Sequence, residues 1–193
     1  ALTEEDLPAG STAQGDIIVP TKAVNELNRL LQTKGDVEIR FTDNQVSFRL
    51  KDETAFSVLL VSKLVEGNYP NYQQVIPKEA KERITLMREE FLSALRRAEL
   101  MTNDKSNSVK LAFTKNNLTI TANTADVGEA RESIAINYKG KDISIAFNPG
   151  YLMDPLKAVE SEEVFLELSD ELSPGSVKIN GPFHYVLMPM RMS

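Results

Sequence analysis

One pattern recurs three times along the chain, and it restricts the fold more than any other feature. In its first copy, Ile17-Ile18-Val19-Pro20 is a short apolar run that reads as a strand. Thr21 follows as a helix N-cap, and Val24, Leu27, Leu30 and Leu31 recur at helical spacing until Gly35 stops the helix. Val37, Ile39 and Phe41 then alternate, Thr42-Asp43-Asn44 turns, and Val46, Phe48 and Leu50 alternate again. A third run from Phe56 to Lys63 follows a turn at Asp52-Glu53. The order is strand, helix, strand, strand, strand.

The second copy opens on Arg83-Ile84-Thr85-Leu86. A helix from Arg88 to Met101 carries Phe91, Leu95 and Ala98 on one face. Val109, Leu111 and Phe113 alternate, Lys115-Asn116-Asn117 turns, Leu118, Ile120 and Ala122 alternate, and Ile134, Ile136 and Tyr138 close the copy. The third copy starts with Ile143, Ile145 and Phe147. Asn148-Pro149 is an N-cap with proline at the first helical position, and Tyr151, Leu152, Leu156 and Val159 form the helical stripe. Pro155 sits inside that helix and is expected to kink or weaken it. Val164–Leu168, Val177–Ile179 and Tyr185–Met190 are its three strands.

One such copy buries a single helix stripe and a single sheet face, so copies should pair with their helices on one side. The expected class is α+β, with repeated strand-helix-three-strand units and helices on one face of antiparallel sheets. The second and third copies are contiguous and define one complete domain, 78–193. The first lies in a partial domain, 1–77, whose mate is expected upstream. The two are joined by Glu66-Gly67-Asn68-Tyr69-Pro70-Asn71-Tyr72-Gln73-Gln74-Val75-Ile76-Pro77, rich in turn formers and aromatic residues.

Composition narrows the chemistry. The formal charge is −6, which argues against tight nucleic-acid binding by bulk electrostatics, although a local basic face is compatible with it. There is no cysteine, so thiolate metal sites and disulfides are out, and a reducing compartment fits. No apolar run is long enough to span a membrane. The sole histidine, His184, has no histidine partner, and no Gly-x-Ser-x-Gly or phosphate-binding glycine loop occurs. Acidic pairs such as Glu89-Glu90 and Glu162-Glu163 read as helix-start or solvated charges. The expectation is a non-catalytic protein without cofactor or metal. The end of the chain, Tyr185-Val186-Leu187-Met188-Pro189-Met190-Arg191-Met192-Ser193, is rich in methionine, a flexible, polarizable side chain suited to accepting several partners.

Several of these stretches together resemble the bacterial sliding clamp, the DNA polymerase III β subunit. They are Ser62-Lys63-Leu64-Val65-Glu66-Gly67-Asn68-Tyr69-Pro70-Asn71-Tyr72 with Val75-Ile76-Pro77, Leu118-Thr119-Ile120-Thr121-Ala122-Asn123, Phe147-Asn148 with Tyr151, and Tyr185-Val186-Leu187-Met188-Pro189-Met190-Arg191. The resemblance covers essentially the whole chain. It implies the DNA-clamp fold, in a fragment holding the second half of the middle domain and the whole third domain. It also implies a non-catalytic processivity factor of the bacterial cytoplasm, associated with the nucleoid. Such a factor closes as a head-to-tail dimeric ring around duplex DNA and tethers polymerase, clamp loader and repair proteins through short linear motifs. The alternative class is a peptide-binding module that does not encircle DNA.

The resemblance further implies a hydrophobic peptide cleft. Its wall would comprise Pro70, Gln74, Val75, Asn148, Tyr151, Pro174, Ser176, Val186, Leu187, Met188, Pro189, Met190 and Arg191. Gln74 stands where the family often has a basic residue, and the Gly-X-Arg-Leu segment that completes the cleft would lie just before Ala1. DNA-facing candidates are the basic residues of the helices: Lys22, Arg29, Arg88, Arg96, Arg97 and Lys157. Arg96 and Arg97 follow buried-face Leu95 and should point away from it. Leu100 and Met101 match apolar positions at the family's interface between protomers. With the partner surface missing, the fragment is expected to be mainly monomeric.

Overall fold

The computed structural model describes residues 1–7, 11, 14–31, 35–51, 57–77, 79–103, 107–126 and 128–191. The chain divides into two compact units, Leu7–Pro70 and a second made of Ala1–Asp6 with Asn71–Ser193. The first strand, β1 (Leu2–Thr3), therefore belongs to the second unit.

In the Leu7–Pro70 unit, helix α1 (Thr21–Leu30) precedes strands β2 (Asp36–Phe41), β3 (Gln45–Lys51) and β4 (Ser57–Lys63), which form an antiparallel sheet in the order β2-β3-β4. Phe48 stands opposite Ile39 on one side and Leu60 on the other. Opposed residues share a face, so Val37, Ile39, Val46, Phe48, Leu50 and Leu60 form one apolar surface. Val46 and Phe48 are buried there.

Two details differ from the sequence reading. Thr21 is the first helical residue, and Pro20 holds the cap position without a side-chain bond. Ile17–Val19 form no strand, although the Val65 amide donates to the Ile18 carbonyl at 2.9 Å. The reason for the missing strand emerges from the second unit. Phe56 and the turn at Asp52-Glu53 lie outside the described residues.

The second unit holds two copies of the pattern. One is β5 (Glu82–Met87), α2 (Arg88–Glu99), β6 (Val109–Thr114), β7 (Asn117–Thr124) and β8 (Gly128–Ala135). The other is β9 (Ile143–Phe147), α3 (Pro149–Ala158), β10 (Glu163–Leu168), β11 (Gly175–Lys178) and β12 (Phe183–Leu187). The copies exchange their first strands. β5 pairs with β10, Leu86 opposite Val164, and β9 pairs with β6, Phe147 opposite Val109. The resulting sheets run β8-β7-β6-β9 and β1-β12-β11-β10-β5, antiparallel throughout, and α2 packs against α3. A lone copy has no second sheet to receive its first strand. The Leu7–Pro70 unit contains one copy only, which is why Ile17–Val19 stay outside any ladder.

One hydrophobic core serves both copies: Phe91 and Leu95 from α2, Leu152 and Leu156 from α3, Leu111 and Phe113 from β6, Val164 and Leu166 from β10. Truncating a fully buried phenylalanine such as Phe91 costs about 3–5 kcal/mol. The β6–β7 turn is Lys115-Asn116, with Asn116 at φ 59°, a left-handed conformation that asparagine tolerates. Asn117 already belongs to β7. β8 ends at Ala135 and begins earlier than its apolar pattern suggests, because Glu129 and Arg131 lie on a sheet edge, where charge guards unpaired backbone. α2 stops at Glu99 rather than Met101. α3 continues through Pro155; the amide that proline lacks would have reached Tyr151, whose turn is open to water.

Candidate functional site

The groove at the end of the second unit is built by chain geometry before side chains. β9 ends at Phe147, and Asn148 turns the chain into α3: its Oδ1 accepts the Tyr151 amide at 3.2 Å and its carbonyl accepts the Leu152 amide at 3.0 Å. An asparagine cap of this kind stabilises a helix by about 1 kcal/mol. It also fixes Tyr151 on the first turn, 63% exposed. On the other side, β12 ends at Leu187. The chain then leaves its sheet, and Met190 forms a bridge to Ala146 of β9, its amide donating to the Ala146 carbonyl at 2.7 Å. Met188-Pro189 thus spans from one sheet to the other.

Between these walls lies a groove of about 520 Å³ lined by Asn148, Tyr151 and Tyr185 to Met190. Met188 is 64% exposed, Met190 is exposed and Leu187 is buried beneath. The strand was expected to continue to Met190. It stops at Leu187 because Pro189 has no amide to donate and the tail turns toward β9. Residues of both alternations therefore line the groove. Tyr185 was not anticipated, since strand periodicity alone assigns it to the core, which it also touches. Burial, then the Asp154 carboxylate and Tyr151, push its hydroxyl pKa up, so it stays a neutral hydrogen-bonding group.

Other expected wall residues stand elsewhere. Gln74 ends a short 3₁₀ turn (Tyr72–Gln74) and Val75 follows it; both are exposed and neither lines this groove. Ser176 is buried opposite Val186, and Pro174 is half-buried just before β11. Arg191 is exposed beyond the groove, and Pro70 is exposed in the other unit.

The basic candidates separate into kinds. Arg29, Arg96 and Lys157 each occupy the ninth position of their helix, and all are exposed. Arg29 pairs with Glu26 at 3.2 Å; among the described residues Lys22, Arg96 and Lys157 make no ion pair. Arg97 is exposed as anticipated, but Glu132 of β8 holds it with two bonds of 2.7 and 3.0 Å, and Ser93 adds a third at 2.8 Å. That pairing keeps the Glu132 carboxyl below its usual range. Arg88 has a structural task. Its side chain is 18% exposed and donates to the carbonyls of Ser161 at 2.8 Å and Leu156 at 3.1 Å, closing the end of α3. A cation there also complements the helix dipole.

Leu100 follows α2 and is 71% exposed. Met101 turns back, packs against the core and accepts a bond from Thr124 Oγ1 at 2.7 Å.

Strand-exchanged copies, antiparallel sheets and helices packed side by side define a domain of the DNA-clamp fold. Residues 73–191 match the model of the C-terminal domain of the DNA polymerase III beta subunit, and residues 1–71 match that of its central domain. β1 falls within the central-domain match yet pairs with β12, Leu2 opposite His184. The beta sliding clamp of Chlamydia pneumoniae is 35% identical over 192 residues, covering 100% of this chain and 51% of that protein. The clamp of Chlamydia muridarum is 38% identical with the same coverage. A crystal structure of the Bartonella birtlesii sliding clamp superposes with a TM-score of 0.90 at 34% identity, over 98% of this chain and 54% of that one; another shows that clamp bound to griselimycin. The chain belongs to the DNA polymerase III beta subunit family, the bacterial sliding clamps. It spans about half the length of the curated relatives it matches.

Proposed function

We propose that this chain serves, within a longer polypeptide, as part of a processivity clamp of bacterial DNA replication. Such a clamp does no chemistry; it encircles duplex DNA as a dimeric ring and tethers polymerase, clamp loader and repair proteins. The observation that carries this reading is the groove. Its apolar floor at Leu187, flexible methionine rim and Tyr151 edge suit the Leu or Phe anchors of a short linear motif, while Asn148 and the tail backbone offer polar fixation. β1 supports a further point. Its antiparallel register against β12 would carry residues preceding Ala1 along Val186 toward Met188, so an upstream segment would add a wall.

The exposed cations at the ninth helical position in all three copies support DNA facing by Arg29, Arg96 and Lys157, with Lys22 on the same helix as Arg29. Contacts of this kind address phosphates and carry no sequence preference. A ring needs few of them, since topology holds it in place, which reconciles DNA with a charge of −6. Leu100 would contribute to the interface between protomers.

The test is titration of a Gln-x-x-Leu-x-Phe peptide against the chain and its Met188→Ala/Met190→Ala variant. Removing two anchors from a groove should weaken binding by at least about tenfold. Equal binding to both would remove the tail from the site.

A further inference from the structure

The ladder that holds the tail does not stop at β9. Met190 stands opposite Ala146, Ala146 opposite Lys110 of β6, and Lys110 opposite Thr121 of β7. Opposed residues share a face, so Met190 at the rim of the groove and Lys110 lie on one side of the β8-β7-β6-β9 sheet. Neighbouring strands sit about 4.8 Å apart, which puts Lys110 about 10 Å from Met190 along the row. About three residues of extended chain span that distance. The floor between them is Ala146, whose methyl group is too short to form a barrier.

Charge is divided across the groove. Lys110 is exposed and, among the described residues, makes no ion pair. On its face of these four strands the described residues include one carboxylate, Glu129, which stands on the far edge strand β8. The opposite wall carries Asp154, exposed and three residues along α3 from Tyr151. Burial first, and then this carboxylate, raise the pKa of Tyr185, so Asp154 lies close to the groove. A chain of net charge −6 thus presents an unpaired cation beyond one wall and a carboxylate on the other.

Building on the peptide-groove reading above, we propose that the β9–β6 face beside Met190 is a second part of the docking site, which takes acidic residues flanking the apolar anchors of the bound segment. The anchors fill the groove. The partner chain leaves over Met190, crosses Ala146, and a carboxylate about three residues beyond the last anchor meets Lys110. Lysine suits this task, because its flexible stem carries a point charge that accepts Asp or Glu at neighbouring positions. Asp154 disfavours carboxylates at the other wall, so only one flank of the segment is read. Arg191 follows Met190 on the opposite alternation and stands outside the Lys110 row. The groove selects for anchors; the Lys110 face discriminates among partners that share them.

Titration of the whole chain with three peptides tests this. One is Gln-x-x-Leu-x-Phe with neutral flanks; the other two carry a pair of Asp residues about three positions before it or after it. One acidic peptide, and not both, should bind about two- to fivefold more tightly than the neutral one at low salt, the worth of an exposed ion pair. The gain should vanish at about 1 M salt, where the Debye length is about 3 Å. Lys110→Glu should turn the gain into a penalty and leave the neutral peptide unaffected. Lys115→Glu makes the same change of net charge in the exposed β6–β7 turn and should leave the gain in place. If the wild-type chain does not bind the neutral peptide, the groove reading fails and the Lys110 face falls with it. Neutral binding with no gain from either acidic flank overturns the Lys110 face alone. So does a gain that Lys110→Glu leaves intact, or one that Lys115→Glu abolishes equally.

Discussion

The amide of Met190 donates to the carbonyl of Ala146 at 2.7 Å, and this single bond ties the tail of one sheet to the edge of the other. The groove exists because of it: without the tie, Met188 and Pro189 would have no fixed path beside Tyr151. Met190→Pro removes the donor while keeping an apolar residue. The expected stability loss is about 0.5–1.5 kcal/mol, read by urea denaturation. Peptide affinity, read by titration, should fall more steeply than that figure, because the rim loses its geometry as well as one bond.

Asn148 acts on the same groove from the opposite side. Asn148→Ala should cost about 0.5–2 kcal/mol of stability through the lost cap. Asn148→Asp or Asn148→Ser keeps an acceptor for the Tyr151 amide and should restore most of it. If the alanine variant unfolds at the wild-type midpoint, the cap is not what orders the first turn of α3.

The basic residues should part company under mutation. Arg88→Met breaks charge-assisted bonds to Ser161 and Leu156, worth about 1.5–3 kcal/mol each, so its effect is on stability. Among the described residues Arg96 and Lys157 make no ion pair, so Arg96→Ala and Lys157→Ala should change stability by no more than about 0.5 kcal/mol. They should instead weaken the already poor affinity for linear DNA and lower its log–log salt slope by about one unit each. Salt-insensitive nanomolar DNA binding would contradict the phosphate-contact account.

His184 gives a pH dependence. Burial, then the nearby Lys178 ammonium, hold its pKa below the ordinary 6.5, partly offset by Glu167. Among the described residues its Nε2 is buried without a partner, so the charged form is disfavoured in the folded state. The unfolded chain therefore takes up the proton first, and stability declines as pH falls from about 6.5 through the depressed folded value. Denaturation midpoints at successive pH values should show that decline in wild type. His184→Gln should flatten it.

The periodic parts of this fold were legible because their cause is local. The alternation of Leu118, Ile120 and Ala122 and the Asn148-Pro149 start of α3 announce burial and capping within a few residues. What failed was decided at a distance. Ile17-Ile18-Val19 has a strand's composition, yet a strand exists only where another strand accepts it. β8 has an edge strand's charges, which hide its alternation. Arg88 looked like any helix-start cation until α3 was placed beside it. For the groove, the Met-rich tail and Tyr151 stand out in the sequence. The crossing of the tail to Ala146 does not, since only the sheet order brings β9 and the chain end together.

The strand exchange between the two copies also governs how this unit can be made. A ribosome releases Glu82–Met87 early, but the partner strand Glu163–Leu168 emerges only after most of the domain, and the closing bond to Met190 comes later still. β5 cannot settle before β10 has been made. Pairings so far apart in sequence close slowly. The nascent chain therefore carries an open strand edge until β10 is made, and that interval is when it most needs shielding from its neighbours on the same message.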